Sequence, residues 1–452
     1  MAAKNRTKYL LAICFLFLGI ATYTTYNSTQ ETEIIPPISH SIIESANQND
    51  ELKQLANEYY ELLQRANTLS LQASQAAEDG NFETAENLHR EANLALSAAL
   101  SSEWYTMEKA RTVALGSNQS LKDESSSSEK EPKYVHFFPS YATNREFDGK
   151  GFTGKISKNI SYGFCNVSIP VKIHETGEIE RPVNRWWWFN ETEDPEKHFI
   201  LKEIHPLEKE SFLSNLSSSS LLLFIHGFNV TFEGAALRTA QLHYDLKFQG
   251  RSMFFSWASD GSINGYVNDS TKISDSVGDI KEFIKDLSNR DEVEEIFIIA
   301  HSMGSRGITR ALTSLKDDLD GSSLNKLREL ILVEPDISQE VFKARIAPEL
   351  KKLGARISIY ASKNDKALGI SRPINNGTPR LGQAGKHLYI SDGFETIDSS
   401  DVGVSFLRLN HSSYAENLEF ILELSNVIDG KKADSRPGLK KKEGYWYLIP
   451  AK

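Results

Sequence analysis

Cysteine is scarce in this chain, which has two cysteines in 452 residues, Cys14 and Cys165. Cys14 lies in an apolar N-terminal run, so the pair can build neither a disulfide framework nor a cysteine-based zinc site. Cys165 is therefore predicted to be a packed free thiol rather than a nucleophile.

Clustered positive charge is also lacking. The net charge is −10, and no long Lys/Arg cluster precedes the C-terminal tail. A phosphate-backbone partner requires a basic stripe, so nucleic acid is not expected to bind. The composition, 40% hydrophobic and 25% charged, is typical of a chain with a large buried core. The length predicts two or three domains.

The N-terminus has an apolar run that is short for crossing a bilayer. Lys4, Arg6 and Lys8 precede this run, which covers residues 9–23. A spanning helix needs about 17–25 residues, and a signal-peptide core is shorter. Residues 1–25 are therefore predicted to be a signal peptide or a membrane anchor. The preceding positive charges predict an exported, membrane-anchored, periplasmic or extracellular protein.

Residues 40–115 have a helical pattern. Apolar residues recur at three- and four-residue steps from Leu52, and an Asp79-Gly80-Asn81 turn separates two alanine-rich stretches. This pattern favours a stalk, although a repeat-like hairpin that binds an unknown protein partner is an alternative. The polar, serine-rich residues 116–132 are predicted to be a linker.

The remaining chain is predicted to be one α/β domain, residues 133–428. Its first part is strand-rich, with strands at 134–138, 167–173 and 199–204. Apolar strands then alternate with amphipathic helices, which predicts a mostly parallel sheet covered by helices on both faces. These strands are predicted at residues 221–226, 252–257, 296–300, 330–333, 357–360 and 387–390, and the helices near 232–248, 273–287, 304–315, 339–353 and 414–424.

Two aromatic segments stand outside this alternation. Residues 186–189 are predicted to be an edge strand, with a substrate platform or a membrane-contacting patch as alternatives. The basic and aromatic tail, residues 429–452, is predicted to be a solvated extension, with contact to an anionic membrane surface as the alternative.

The strongest chemical signal is the sequence of residues 300–304, AHSMG, which follows an apolar strand and precedes a helix. It matches the G-x-S-x-G nucleophile elbow with alanine at the first small position. The turn is tight enough that Ala300 and Gly304 must be small, which leaves the Ser302 hydroxyl exposed. An N-cap serine is the alternative reading of Ser302.

A nucleophilic serine needs a base that an acid orients, in the chain order serine, acid, histidine. His411 follows the last predicted strand, and His387 is a poorer candidate because it begins a strand. Asp365 ends the second strand after the elbow and is the favoured acid. Asp336, which ends the first, is the alternative, although it also suits a helix N-cap.

The oxyanion hole requires two N–H groups aimed at the developing negative charge. One is predicted to be the N–H of Met303, and the other the N–H of Phe228 in the loop that follows the first apolar strand. Gly227 allows close backbone approach. His226 is predicted to be a structural hydrogen-bonding residue of this loop.

Together these residues resemble a bacterial subfamily of α/β-hydrolases described as esterase- or lipase-like. The matching segments run from residue 134 to 424: YATNR at 141–145, YGFCNVSIP at 162–170, GEIERP at 177–182, HGFNVTF at 226–232, FSW at 255–257, AHSMG at 300–304, SKNDKAL at 362–368 and SFLRLNHSSYA at 405–415. The resemblance implies that the strand-rich block belongs to the hydrolase domain and that Ser302, Asp365 and His411 form the triad. Asn410 replaces the glycine that usually precedes this histidine in the subfamily.

The expected function is hydrolysis of a small-molecule or lipid carboxylic ester through an acyl-enzyme, with no metal or organic cofactor. Acyl transfer and thioester hydrolysis use the same triad and remain alternatives. A non-catalytic exported scaffold is the alternative from another class.

Overall fold

A computed structural model describes residues 133–182, 184–186, 189–214, 216, 218–261, 265–315, 318–363, 378–402 and 414–450, together with scattered positions between 58 and 95. The side chains of residues 184–190 and 414–417 are outside this description. The predicted signal or anchor at residues 1–25 and the linker at 116–132 lie outside the described residues.

The strand-rich block contains a long antiparallel ribbon. Its strands are β1 (Val135–Phe137), β2 (Ser140–Phe147), β3 (Phe152–Ile169), β4 (Asn184–Trp186), β5 (Phe189–Asn190) and β6 (Ile200–Leu207). Strand β3 pairs antiparallel with β1, β2 and β6, while β4 and β5 form a separate pair. In place of the single strand expected at residues 186–189, the described residues form two short paired strands, Asn184–Trp186 and Phe189–Asn190.

The second block supplies the parallel strands. They are β7 (Ser220–Ile225), β8 (Arg251–Ser256), β9 (Glu295–His301), β10 (Leu327–Val333), β11 (Arg356–Ala361) and β12 (Glu395–Asp398), followed by the hairpin β13 (Leu439–Lys442) and β14 (Tyr445–Leu448). The order across the sheet is β1-β3-β2-β8-β7-β9-β10-β11-β12-β14-β13. Strand β2 runs parallel to β8, so the strand-rich extension and the parallel strands form one sheet.

Helices connect these strands. They are α1 (Lys209–Ser214), α2 (Phe232–Leu246), α3 (Tyr266–Asp275), α4 (Val277–Ser288), α5 (Gly304–Leu315), α6 (Gly321–Leu324), α7 (Gln339–Val341), α8 (Ala347–Leu350) and α9 (Tyr414–Ile428), with a π-helical turn at Phe342–Ile346. The predicted helix at 339–353 is therefore three consecutive helical segments. Thr231 caps α2 by accepting a hydrogen bond from the Gly234 N–H.

Both faces of the sheet are buried, as continuously apolar strands predict. Along β7, Leu222 and Phe224 belong to one hydrophobic cluster, and Leu221, Leu223 and Ile225 belong to the other. Because side chains alternate along a strand, the two clusters lie on opposite faces. The predicted fold class, a mostly parallel α/β sheet with a strand-rich extension, is confirmed.

Two sequence predictions in the C-terminal third are wrong. Residues 387–390 form no strand, because Gly385–His387 is a 3₁₀ turn and β12 lies further on at Glu395–Asp398. The tail is not a solvated extension over residues 439–448. Strand β14 pairs with β12, and Leu448 is fully buried, so the hairpin continues the sheet.

The described residues between 58 and 95 are helical on both sides of Asn81, as the sequence predicts. The side-chain oxygen of Asn81 accepts a hydrogen bond from the Thr84 N–H at 3.2 Å, which is an N-cap. Ala76 packs against the buried pair Phe138 and Phe164 of the extension. Over the described part of the chain, no helix combines the length and apolar character needed to cross a membrane.

Candidate active site

Ser302 lies at the sharp turn between β9 and α5. Its φ of +49° is in the left-handed region, which a non-glycine residue enters at a cost of about 1–3 kcal/mol. Two hydrogen bonds hold the turn: the Ser302 N–H donates to the Val333 carbonyl at 2.9 Å, and the Asp336 N–H donates to the Ser302 carbonyl at 3.1 Å. This geometry is that of a nucleophile elbow and does not fit an ordinary N-cap serine.

The small residues of the elbow are required by contacts with the neighbouring strand. A Cβ atom added to Gly304 would lie 2.4 Å from the His226 carbonyl oxygen and 2.8 Å from that of Ile225. Ala300, two residues before the serine, is fully buried. Both positions therefore exclude larger side chains, as the motif predicts.

The loop after β7 lies directly beside the serine. A Cβ atom added to Gly227 would lie 3.1 Å from the Ser302 Cβ and 2.8 Å from the His301 Nδ1. Within the described residues, the N–H groups of Phe228 and Met303 donate no hydrogen bond to another backbone group. The structure therefore brings the loop that carries Phe228 next to Ser302, and the N–H groups of Phe228 and Met303 stay predicted oxyanion donors.

His226 is a structural residue of this loop. Its Nδ1–H donates to the Gly227 carbonyl at 2.8 Å, its Nε2 lies 3.2 Å from the Ser256 hydroxyl, and its ring stacks on Trp257. Burial, followed by the charge of Arg145, holds the pKa of His226 well below its ordinary value, so the ring is neutral.

Arg145, a residue of the strand-rich extension, anchors the same loop. The sequence patterns do not reveal this role. The Arg145 guanidinium donates to the Val230 carbonyl at 2.8 Å, the Ser259 carbonyl at 2.9 Å and the Ser256 hydroxyl at 2.8 Å. Burial lowers its pKa to about 9, which still leaves the group charged near neutral pH. The only sequence signal for this role is the position of Arg145 inside a matching segment.

Asp336, the alternative acid, is occupied by other partners. Its carboxylate accepts hydrogen bonds from Arg380 at 2.6 Å and from Arg306 and the Tyr266 hydroxyl at 2.5 Å. Burial opposes ionisation, but the charges of Arg306 and Arg380 hold the pKa of Asp336 below its ordinary value. These contacts indicate a structural ion-pair role for Asp336 rather than that of a histidine-orienting acid.

Asp365 and His411 lie outside the described residues. The strands that precede them are described: β11 ends at Ala361 and β12 at Asp398. Both run parallel to β10, which runs parallel to β9, so their carboxyl ends lie at the same sheet edge as Ser302. His387, the poorer histidine candidate, ends a 3₁₀ turn.

Glu334 is a further acidic residue near the elbow that the sequence did not single out. It follows β10, is buried, has a positive φ of 45°, and places a carboxylate oxygen 3.9 Å from the His301 Nε2. Among the residues described, no group of three His, Cys, Asp or Glu side chains is arranged to hold a metal ion.

Comparison with known families agrees with this geometry. The family described as "Alpha/beta hydrolase of unknown function" matches residues 207–428, which include the elbow and the loop beside it. With its parallel sheet and its strand–turn–helix at Ser302, this part of the chain has the α/β-hydrolase fold. No protein with a curated description matches the chain.

Several solved structures overlap the chain at low identity. The 2,6-dihydroxy-pseudo-oxynicotine hydrolase is 11% identical, with a TM-score of 0.28, over 87% of this chain and 95% of its own. A predicted CIB-like hydrolase from Thermoplasma acidophilum is 15% identical, with a TM-score of 0.27, over 50% and 91%. Esterase Est22 is 10% identical, with a TM-score of 0.29, over 66% and 81%. At such low TM-scores, these similarities carry no information on substrate.

Proposed function

We propose that the chain is a serine hydrolase that cleaves carboxylic esters through an acyl-enzyme. The observation that carries this proposal is the strained Ser302, whose φ is +49° and which faces the backbone of Gly227. In a nucleophile elbow, a left-handed serine after a buried strand presents its hydroxyl to the substrate, and the adjacent loop supplies N–H donors for the oxyanion. Ser302 itself is 6% exposed.

In this mechanism, the Ser302 Oγ attacks the ester carbonyl carbon while His411 accepts the hydroxyl proton. The tetrahedral oxyanion accepts hydrogen bonds from the N–H groups of Met303 and Phe228. The C–O bond to the alcohol then breaks as His411 returns the proton to the leaving oxygen. Water, activated by the same histidine, hydrolyses the acyl-enzyme, and Asp365 orients the imidazole throughout.

The proposal extends to location. The positive charges at Lys4, Arg6 and Lys8 before the apolar run support export or membrane anchoring, with the hydrolase domain outside the cytoplasm. The physiological substrate is then an ester that is accessible in that compartment.

The direct test is turnover of p-nitrophenyl esters with short to long acyl chains. Ser302→Ala is expected to lower kcat by at least about 10⁴-fold, because the nucleophile and its base act as a unit. Ser314→Ala, in α5, removes a hydroxyl that donates to the Ala311 carbonyl; it is the matched control and should keep full activity. Equal loss in both variants, or turnover that persists in Ser302→Ala, would contradict the proposal. A folded but inactive wild type would favour the scaffold function.

A comparison of two aspartate variants identifies which residue orients the catalytic histidine. Asp365→Asn is expected to lower kcat by about 10⁴-fold with little change in stability, because the wrong histidine tautomer is then favoured. Asp336→Asn should instead lower the free energy of unfolding by about 3–5 kcal/mol, because Arg306 and Arg380 lose their shared buried partner. Urea unfolding and steady-state kinetics on both variants separate the two roles, and the reverse pattern would identify Asp336 as the catalytic acid.

A further inference from the structure

A polar cavity lies beside the elbow, between α3, α5 and the segment after β10. Its volume is about 280 Å³. Its polar lining consists of Ser270 and Ser274 from α3, Arg306 and Arg310 from α5, and Ser338 and Arg380 from the segments that close it. We refer to this cavity as the arginine pocket. Residues four apart share a helix face, so the two serines and the two helical arginines form facing rows.

The arginine pocket has an excess of positive charge. Three guanidinium groups line it, and none of its lining side chains is acidic. Asp336, just behind the lining, pairs with both Arg306 and Arg380, so one carboxylate is shared by two of the three cations. Burial, followed by the charge of Arg306, lowers the pKa of Arg310.

Arg310 retains the most capacity to bind a ligand. Its guanidinium donates to the Ser274 hydroxyl at 3.1 Å, and among the described residues it has no carboxylate partner. A planar guanidinium presents donors in a fork that matches the oxygens of a phosphate group. Since a water molecule occupies roughly 30 Å³ in the liquid, the cavity can hold a tetrahedral anion with several waters.

We propose that the arginine pocket binds a phosphate-class anion. Its position beside the elbow gives this binding a functional meaning. Arg306 lies on the first turn after Ser302, and the Asp336 N–H donates to the Ser302 carbonyl at 3.1 Å. The anion is either the charged group of the ester substrate or a free phosphate, and both sources use the same donors.

The test is isothermal titration of the full-length protein with inorganic phosphate at constant ionic strength. The wild type is expected to bind one phosphate per chain, and Arg310→Gln is expected to weaken the association about tenfold, the loss typical of a charge-assisted hydrogen bond. Arg328→Gln is the matched control, because it removes the same charge from the exposed side chain of β10 that pairs with Glu295. That variant should bind as the wild type does.

Absence of binding by the folded wild type would overturn the proposal. Equal weakening in both variants, or equal competition by chloride, would also overturn it. Either result would mean that the electrostatic potential of the protein surface attracts anions in general and that the pocket is not a specific phosphate site. Binding is measured without substrate, so its failure is distinguishable from failure of the hydrolase proposal.

Kinetics with a p-nitrophenyl ester whose acyl chain carries an anionic group then distinguish the two sources. Added phosphate that raises KM without changing kcat assigns the pocket to a substrate's anionic group. Phosphate that changes kcat without changing KM assigns it to a free effector. Either effect should be lost in Arg310→Gln and kept in Arg328→Gln.

Discussion

Ser302 adopts a backbone conformation that few serines adopt, and neighbouring residues stabilise it. The Val333 carbonyl and the Asp336 N–H bond its main chain on either side, at 2.9 Å and 3.1 Å. Glu334, two residues before Asp336, also has a positive φ. Strain of this kind persists only where surrounding structure over-determines it, and it concentrates at functional sites.

Gly304 offers a test of elbow packing at a single residue. Gly304→Ala is expected to lower the free energy of unfolding by about 1–3 kcal/mol or to prevent folding, because the new Cβ meets the backbone carbonyl of His226 at 2.4 Å. Gly278→Ala is the matched control, because its Cβ would meet nothing within 4 Å in the first turn of α4. Urea unfolding of both variants measures the difference, and equal stabilities would contradict the packing described here.

Residues of the elbow are predictable from sequence because the constraint is local. The serine, its small neighbours and the flanking strand and helix all lie within one short segment, so their spacing alone predicts the turn. The roles of Arg145 and of the Asp336 ion pairs are not predictable in this way. Arg145 lies 111 residues from its partner Ser256, and only the pairing of β2 with β8 brings them together.

At the scale of elements, the loop after β7 depends on the strand-rich extension. Arg145, at the end of β2, contacts both the Val230 carbonyl and the Ser259 carbonyl and so fixes the loop that carries Phe228. Arg145 touches no reacting atom and is a positioning residue. The extension is therefore part of the candidate active site.

Arg145→Lys tests this positioning role. Lysine keeps the charge but loses the planar fork, so the loop should shift and kcat should fall about tenfold or more with little change in KM, because the oxyanion contacts form mainly in the transition state. Arg181→Lys, at a half-exposed site of the same extension that pairs with Glu233, is the control. A merely structural role would lower stability and leave kcat unchanged in the folded fraction, and that outcome would contradict the positioning role.

The parallel strands were predictable because burial on both faces leaves continuous apolar runs. The hairpin β13–β14 lacks that signal. Its first strand has three consecutive exposed lysines after Leu439, and such lysine-rich strands are typical of sheet edges. Residues 387–390 show the opposite case: Tyr389 packs with Phe342 and Phe394, so the apolar run packs without forming a strand.

At the scale of the whole molecule, a buried charged cluster joins the segment after β3 to α2. The His174 Nε2 lies 2.8 Å from Asp245 of that helix, and its Nδ1 lies 3.0 Å from Glu180. Burial opposes protonation, but Asp245 and Glu180 outweigh it and raise the pKa of His174 to about 10. The cluster therefore holds a charged histidine at neutral pH.

This cluster predicts a pH dependence of stability. Because the pKa of His174 in the folded state lies above the unfolded value of about 6.5, its contribution is fully present below about pH 6.5. The contribution is lost as the pH rises toward about 10. The difference in unfolding free energy between wild type and His174→Gln should therefore shrink from pH 6.5 to pH 10, as measured by urea unfolding.

His243 is the matched control for that measurement. It is fully buried, and burial lowers its pKa to about 3, so it is neutral across the same range. The destabilisation by His243→Gln should therefore be constant between pH 6.5 and pH 10. If the destabilisation by His174→Gln is also constant over this pH range, His174 is not charged in the folded protein.

Labelling by a fluorophosphonate probe is a direct test of Ser302 as the nucleophile. The wild type should gain one covalent adduct, which peptide mass spectrometry should locate at Ser302, and Ser302→Ala should gain none while it keeps the same circular dichroism. An adduct at another residue, or a folded wild type that does not react, would contradict the proposed mechanism.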